Sequence, residues 1–261
     1  MSPRPNPLPR YYRWRSNLLQ APVLFLVTAT CGTLALFVSL FDRKGRWQHR
    51  IARVWARGCL CASWSGLEVR GVENFRKHKV AVYASNHTSY MDTPIIFAAL
   101  PFQFRILARK SLWEWPFIGW FLQRSGQMPI DTENPNATLA SLGGGVKALR
   151  TGLPLFVFPE GGRTPEGQLQ PFLSGAAYMA IRAQAPLVPI AISGAYELLP
   201  IHTYHFYPSK LTLHVGEPIE TKGMTVRQID ELTERLRTEI QQMLDQPEQG
   251  AVESPEPAQV S

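Results

Sequence analysis

Residues 21–41 read APVLFLVTATCGTLALFVSLF without one charged side chain. As a helix rising about 1.5 Å per residue, the run spans roughly 31 Å, close to the hydrocarbon thickness of a bilayer. It outlasts the h-region of a signal peptide and is followed by FDRKGR instead of the small residues of a cleavage site, so an uncleaved anchor helix is expected at 17–42, behind a basic arm at 1–16. The next stretch, WQHRIARVWARGCLCASW, is amphipathic. Trp47, Ile51, Val54 and Trp55 stand among Arg46, Arg50, Arg53 and Arg57, the pattern of a basic interfacial helix, placed at 45–64. Arg10, Arg13 and Arg15 before the apolar run are outnumbered by Arg43, Lys44, Arg46, Arg50 and Arg53 after it, which favours a cytoplasmic position for the chain that follows. A helix that spans the bilayer and one that dips into one leaflet and returns both satisfy these flanks.

Beyond residue 65, short apolar runs of strand type alternate with stretches of helical period. Strands are expected near 67–70, 79–85, 104–108, 127–130, 154–158, 187–192 and 209–215, bounded by Gly, Pro or polar clusters. Helices are expected at 92–100, 111–124, 136–150, 174–184 and 225–244. The alternation predicts an α/β fold over 65–222, a central, mostly parallel sheet flanked by helices. The last helix, within 223–245, is the clearest: Val226, Ile229, Leu232, Leu236, Ile240 and Met243 recur at spacings of three and four, and Thr225 with Gln228 makes a capping box. Gly143, Gly144 and Gly145 cost the 136–150 helix about 1 kcal/mol each relative to alanine, so it is expected to be broken or closely packed. From 246 to 261 there is no basic residue and little bulky apolar content, and disorder is expected.

Composition adds three constraints. The chain has 261 residues and 45% apolar content, enough for one α/β domain with extensions. Its net charge of +7 suits an anionic partner, phospholipid headgroups, nucleotides or nucleic acid, without choosing among them. Three cysteines, Cys31, Cys59 and Cys61, are an odd number, the last two too close for an ordinary bridge, and all three read as reduced. His202 and His205 in HTYH have no carboxylate or Cys cluster beside them and read as a surface loop, not a metal site. LWEWPFIGWFL at 112–122 sets three tryptophans and two phenylalanines around one charge, a pattern that fits a core segment and a lipid-facing one equally.

Two polar segments carry candidate chemistry. In YASNHTSYMD at 83–92, an apolar strand leads into His87, five residues before Asp92. Strand-to-helix junctions are where α/β folds gather their sites. A carboxylate that holds the Nδ1–H of an imidazole leaves the other nitrogen free as a base. No G-x-S-x-G elbow occurs in the chain, so the proton taken would belong to a substrate hydroxyl. On spacing alone the plainer reading, a turn histidine with Asp92 as a helix N-terminal acid, is preferred. The second segment, PLFVFPEGGRT, puts Glu160, Gly161, Gly162 and Arg163 after a strand. Glycines let backbone N–H groups approach an anion, and a guanidinium matches phosphate oxygens. Glu160 would accept from a substrate hydroxyl or fix the loop. Alone, PEGG reads as a β-turn.

Taken together, the segments resemble the glycerolipid acyltransferases, the family that includes the 1-acylglycerol-3-phosphate acyltransferases. Four blocks in order carry the resemblance over about 65–220: NHTSYMD at 86–92, KSLWEWPFIGWFLQRSGQMPID at 110–131, FPEGGRT at 158–164 and LVPIAISG at 187–194. The resemblance implies that His87 takes the proton from a lysophospholipid hydroxyl, which attacks an acyl thioester with no acyl-enzyme intermediate, and that Asp92 orients the ring. It assigns acceptor binding to Glu160, Gly161, Gly162 and Arg163, with Asn86 shaping the site, and oxyanion stabilisation to backbone N–H groups of 187–191. The acceptor implied is 1-acyl-sn-glycerol-3-phosphate and the donor acyl-CoA or acyl carrier protein, with membrane phospholipids as partners, no nucleic acid, no metal and no cofactor. The place implied is an inner or cytoplasmic membrane. Three departures bear on the acceptor: Gly162 replaces the threonine of E-G-T-R, Thr132 replaces an arginine after I-D, and Phe172, Leu173, Ser174, Gly175 stand for F-K-x-G. They leave room for another lysolipid, with Arg105, Arg109, Lys110 and Arg124 as replacement phosphate contacts or plain surface charges. A transacylase with a phospholipid donor and a non-catalytic lipid-binding protein are the alternatives.

Overall fold

The computed structural model describes residues 10–42, 44–131, 134–164, 166–201 and 203–246. Thr132, His202 and the tail expected to be disordered, beyond its first residue, lie outside them. The helices are α1 (Arg10–Arg15), α2 (Ala21–Val38), α3 (Arg46–Ser63), α4 (Asn74–Lys77), α5 (Asp92–Ala99), α6 (Ile118–Ser125), α7 (Pro135–Arg150), α8 (Gly175–Ala183), α9 (Ala195–Leu198) and α10 (Ile229–Asp245). The strands are β1 (Leu67–Arg70), β2 (Val82–Ser85), β3 (Arg105–Arg109), β4 (Met128–Ile130), β5 (Leu155–Val157), β6 (Leu187–Ser193) and β7 (Leu211–Val215). They form one sheet in the order β1-β7-β6-β2-β5-β3-β4. Every pair is parallel except β6 with β7, as crossover helices between strands require.

Alternation along the central strands splits the core in two. Tyr83, Phe156, Val188 and Ile190 join the cluster that includes Ala52 and Ala56 of α3 and Ile95 and Ile96 of α5. Val82, Leu155, Val157 and Leu187 point the other way, toward Val146 of α7, Met179 of α8 and Leu232, Leu236 and Ile240 of α10. The strands between these layers are apolar on both faces, which is why they read as continuous hydrophobic runs. Thr225 and Gln228 do form the capping box, over a 3-10 turn that opens α10.

One expectation changes and one pair of alternatives is resolved. The helix expected at 111–124 is interrupted: a 3-10 turn spans Lys110–Glu114, and α6 starts only after Pro116 and Phe117. The glycine-rich helix is unbroken, because a Cβ on Gly145 would lie 2.4 Å from Met179 Sδ and 3.1 Å from Leu155 Cδ1. The missing side chain lets α7 close on α8 and β5, so close packing is the outcome.

The N-terminal helices form an antiparallel hairpin on the domain. From Arg10 onward the basic arm is helical, α1 running through a π-helical turn at Ser16–Gln20 into α2. Trp55 Nε1 of α3 donates to Thr28 Oγ1 at 3.1 Å, and Gly58 leaves room for Val27. Both ends of α2 are tied down. At one end Gln20 Nε2 donates to the Ser63 carbonyl at 3.0 Å, and Ser16 Oγ accepts from the Phe206 N–H at 3.0 Å. At the other, Asp42 Oδ2 accepts from the Trp47 and Gln48 N–H groups, and the Lys44 carbonyl accepts from Arg105 Nη2 at 3.2 Å. Arg105 is therefore buried under this corner, at 8% exposure, and not a phosphate contact or a surface charge.

Candidate active site

The site lies along the edge where the parallel strands end. Between β2 and α5 the chain turns tightly around one carboxylate. Asp92, with no exposed surface, accepts through Oδ2 from the N–H groups of Thr88 at 2.7 Å and Ser89 at 2.8 Å, and the same oxygen lies 2.8 Å from His87 Nδ1. An ionised carboxylate only accepts, so Nδ1 carries the ring proton and Nε2 is left with its lone pair. The Phe158 ring lies flat against the imidazole, centroids 3.9 Å apart and planes 16° apart. Burial pulls the His87 pKa below its ordinary value, against the pull of Asp92. The ring is neutral at pH 7, the state a base needs.

The loop after β5 clasps His87 from three sides. Besides the Phe158 ring, Glu160 Oε1 accepts from the His87 N–H at 2.6 Å, and the Thr164 N–H donates to the His87 carbonyl at 3.2 Å. The other Glu160 oxygen accepts from the Gln170 N–H at 3.0 Å. Of the two roles expected for Glu160, the contacts are those of a loop fastener. Burial, opposed by these two bonds, pushes its pKa up to about 7. Arg163 Nε donates to the Ser89 carbonyl at 3.2 Å, and its guanidinium lies 4.4 Å above the Tyr90 ring. Asn86 is 2% exposed and bolts the turn to β6: Nδ2 donates to the Ile192 carbonyl at 2.9 Å, and Oδ1 accepts from the Ile192 N–H at 2.8 Å.

Sequence reasoning missed Phe158, whose only signal is an aromatic directly before PEGG. Arg109, expected as a replacement phosphate contact or a plain surface charge, ends β3 beside β5 and donates to the Gly161 carbonyl through Nε at 3.0 Å and Nη2 at 2.7 Å. A Cβ on Gly162 would fall 2.9 Å from Arg109 Nη2. The arginine thus occupies space that a threonine at 162 would contest, which ties one departure from the family pattern to another residue of this chain. Gly161 itself has φ +72°, a conformation glycine adopts freely. Lys110 pairs instead with Asp131 at 3.4 Å. The oxyanion donors expected in 187–191 are not free: β6 is central, between β2 and β7, with Leu187 N–H bonded to the Ile219 carbonyl. Among the described residues no group of three or more His, Cys, Asp or Glu side chains gathers as a metal site.

A mostly parallel α/β sheet carries a histidine–carboxylate pair at a strand end, and among the described residues no side-chain nucleophile is hydrogen-bonded to that histidine. The family model described as Acyltransferase matches residues 66–193. A 1-acyl-sn-glycerol-3-phosphate acyltransferase of Pseudomonas aeruginosa is 30% identical over 241 residues, which cover 88% of this chain and 91% of that one. The chloroplastic 1-acyl-sn-glycerol-3-phosphate acyltransferase BAT2 of Brassica napus is 30% identical over 166 residues. These cover 63% of this chain and 48% of the relative, so the chain spans about half the length of that plant protein. The crystal structure of the 1-acyl-sn-glycerophosphate acyltransferase PlsC from Thermotoga maritima superposes with a TM-score of 0.74 at 23% identity, over 89% of this chain and 97% of that one, and shows the same fold. The chain belongs to the acyltransferase family.

Proposed function

We propose that this chain moves a fatty acyl group from an acyl thioester, acyl-CoA or acyl carrier protein, to the free hydroxyl of 1-acyl-sn-glycerol-3-phosphate, giving phosphatidic acid for phospholipid synthesis. The observation that carries this reading is the His87–Asp92 pair, with no hydrogen-bond partner on Nε2 and no side-chain nucleophile paired with it among the described residues. Nε2 takes the proton of the lipid hydroxyl as its oxygen attacks the thioester carbonyl. Collapse of the tetrahedral adduct breaks the carbon–sulfur bond, and the imidazolium returns the proton to the leaving thiolate. Asp92 stabilises the imidazolium meanwhile.

Arg163 and Arg109 fit the phosphate of the acceptor. Both lie near enough to His87 to disfavour its protonation, so a bound phosphate that neutralises them also makes His87 a better base. The relatives' shared name supports this acceptor over another lysolipid. For the membrane, we read α2 as lying within one leaflet on the cytoplasmic side, since both its ends are fastened to the same domain. A spanning helix would have to place the Phe206 contact and the Lys44 corner on opposite sides of the bilayer.

The test is transfer of a labelled acyl group by the purified full chain to a panel of lysolipids. We expect lysophosphatidic acid to lead the panel, and His87→Ala to lose about 10³-fold in kcat with unchanged expression. Full activity in that variant overturns the reading.

A further inference from the structure

Just past Arg109, which closes β3 at the site, the chain leaves Trp115, Phe117, Ile118 and Trp120 exposed at 60%, 67%, 45% and 54%. Scattered apolar side chains on a surface need no explanation, but a cluster on one short segment does. The backbone is strained to hold it out. The Ile118 N–H donates to the Pro116 carbonyl at 2.7 Å, closing a γ-turn about Phe117 with φ +63° and ψ −51°, the disfavoured hand for a residue with a Cβ. Gly119 then runs so close to Trp113 that a Cβ would lie 2.1 Å from its carbonyl oxygen. Phe117 meets Trp120 edge-on at 5.2 Å, both rings facing outward.

This cluster continues an apolar surface already present. α6 packs against α2, and the corner after α2 reaches the end of α6, where Gly45 lies against the Ser125 carbonyl. Leu40 and Phe41, at that corner, are exposed at 60% and 78%. Cations border it: the Lys110 side chain is 65% exposed, and Arg50 lies 4.5 Å over the Trp47 ring. Aromatic rings rimmed by basic groups match the headgroup boundary of an anionic bilayer.

We propose that residues 115–120 form a wedge that enters the acyl region of the leaflet holding α2, and that it keeps the mouth of the site at the bilayer so that the lipid acceptor reaches His87 without crossing water. This rests on the lipid acceptor proposed above.

The test uses the full chain with vesicles of phosphatidylethanolamine and phosphatidylglycerol. Two acceptors are compared, long-chain lysophosphatidic acid within the vesicles and a hexanoyl analogue dissolved as monomer. Phe117→Gly relieves the γ-turn, so its melting temperature should be unchanged or raised. Transfer to the vesicle-borne acceptor should nevertheless fall by about fivefold or more, and transfer to the monomeric one should stay within about twofold. Equal loss on both acceptors, or none on vesicles, overturns the wedge. So does a Trp115→Glu/Trp120→Glu variant that turns a dimer into a monomer yet keeps its vesicle activity, since a second copy then covers the patch. A readout without turnover separates the two proposals. Brominated acyl chains should quench tryptophan emission in the native chain, and Trp115→Phe/Trp120→Phe should lose that quenched fraction. No such loss overturns the wedge, whereas quenching without acyl transfer to either acceptor leaves the wedge standing and overturns the transferase reading.

Discussion

Across α2 the chain exposes Phe25, Leu26 and Phe37 at 75%, 65% and 62%, while in the turn between β2 and α5 it buries Ser85, Asn86, Thr88, Ser89 and Asp92 at 4% or less. Each region reverses the ordinary distribution of apolar and polar groups, and each is stable only if its complement exists. For the turn the complement is internal. Asp92 and Asn86 together take up four backbone groups, those of Thr88, Ser89 and both of Ile192. Asp92 Oδ1 finds no partner among the described residues, and the other polar groups of the turn are set before any ligand arrives. For α2 no complement lies among the described residues, and a medium that solvates hydrocarbon would supply it. One chain thus pairs a preformed polar turn with an apolar surface that has no complement among the described residues.

The sharpest way to break the first half of the comparison is Asp92→Asn. The amide oxygen can still accept from Thr88 and Ser89, so the fold and melting temperature should hold within a few degrees. The charge that fixes the His87 tautomer is lost, and kcat should fall by about 10³-fold or more. Retained activity would show that the pair is structural. The second half is tested by Phe25→Lys. A lysine at an apolar helix centre costs about 2.5–3.5 kcal/mol on insertion, so vesicle partition should drop roughly 100-fold while turnover of a monomeric acceptor survives. Unchanged partition would assign the membrane contact to other residues.

The smallest effect concerns the hinge between the two polar segments. Glu160 has a folded pKa raised to about 7 against an ordinary 4.5. A raised value means that the protonated form stabilises the fold, fully below pH 4.5 and progressively less as pH rises through 7. Glu160→Gln removes that titration and one of two acceptors. Its melting temperature should therefore trail the native chain at pH 5 and converge with it by pH 8, a change on the order of a few degrees. A difference that is flat with pH would remove the titration from Glu160.

Legibility followed the kind of force involved. Strands β2, β5 and β6 stood out as apolar runs because both their faces are buried, and α10 because its stripe and capping residues are local. The His87–Asp92 pair was readable as spacing, and its partners were not: the Asn86–Ile192 and Glu160–His87 bonds join residues 106 and 73 positions apart, which only the sheet order brings together. The break at Phe117 escaped notice because seven apolar residues around it mimic a helical period. Gly145 left a broken and a closely packed helix both open because its benefit, contact with Met179, is tertiary. Arg105 shows the same limit from the other side, a charge that composition places on the surface and packing buries.

The bond from Phe206 N–H to Ser16 Oγ spans 190 positions. During synthesis at about 5–20 residues per second, the ribosome delivers the helix roughly 10–40 s before the residue that latches it. The helix has a partner well before that latch, since α3 follows it directly and supplies Trp55 and Ser63. The helical hairpin is thus complete in the chain long before the residue that fastens it to the domain.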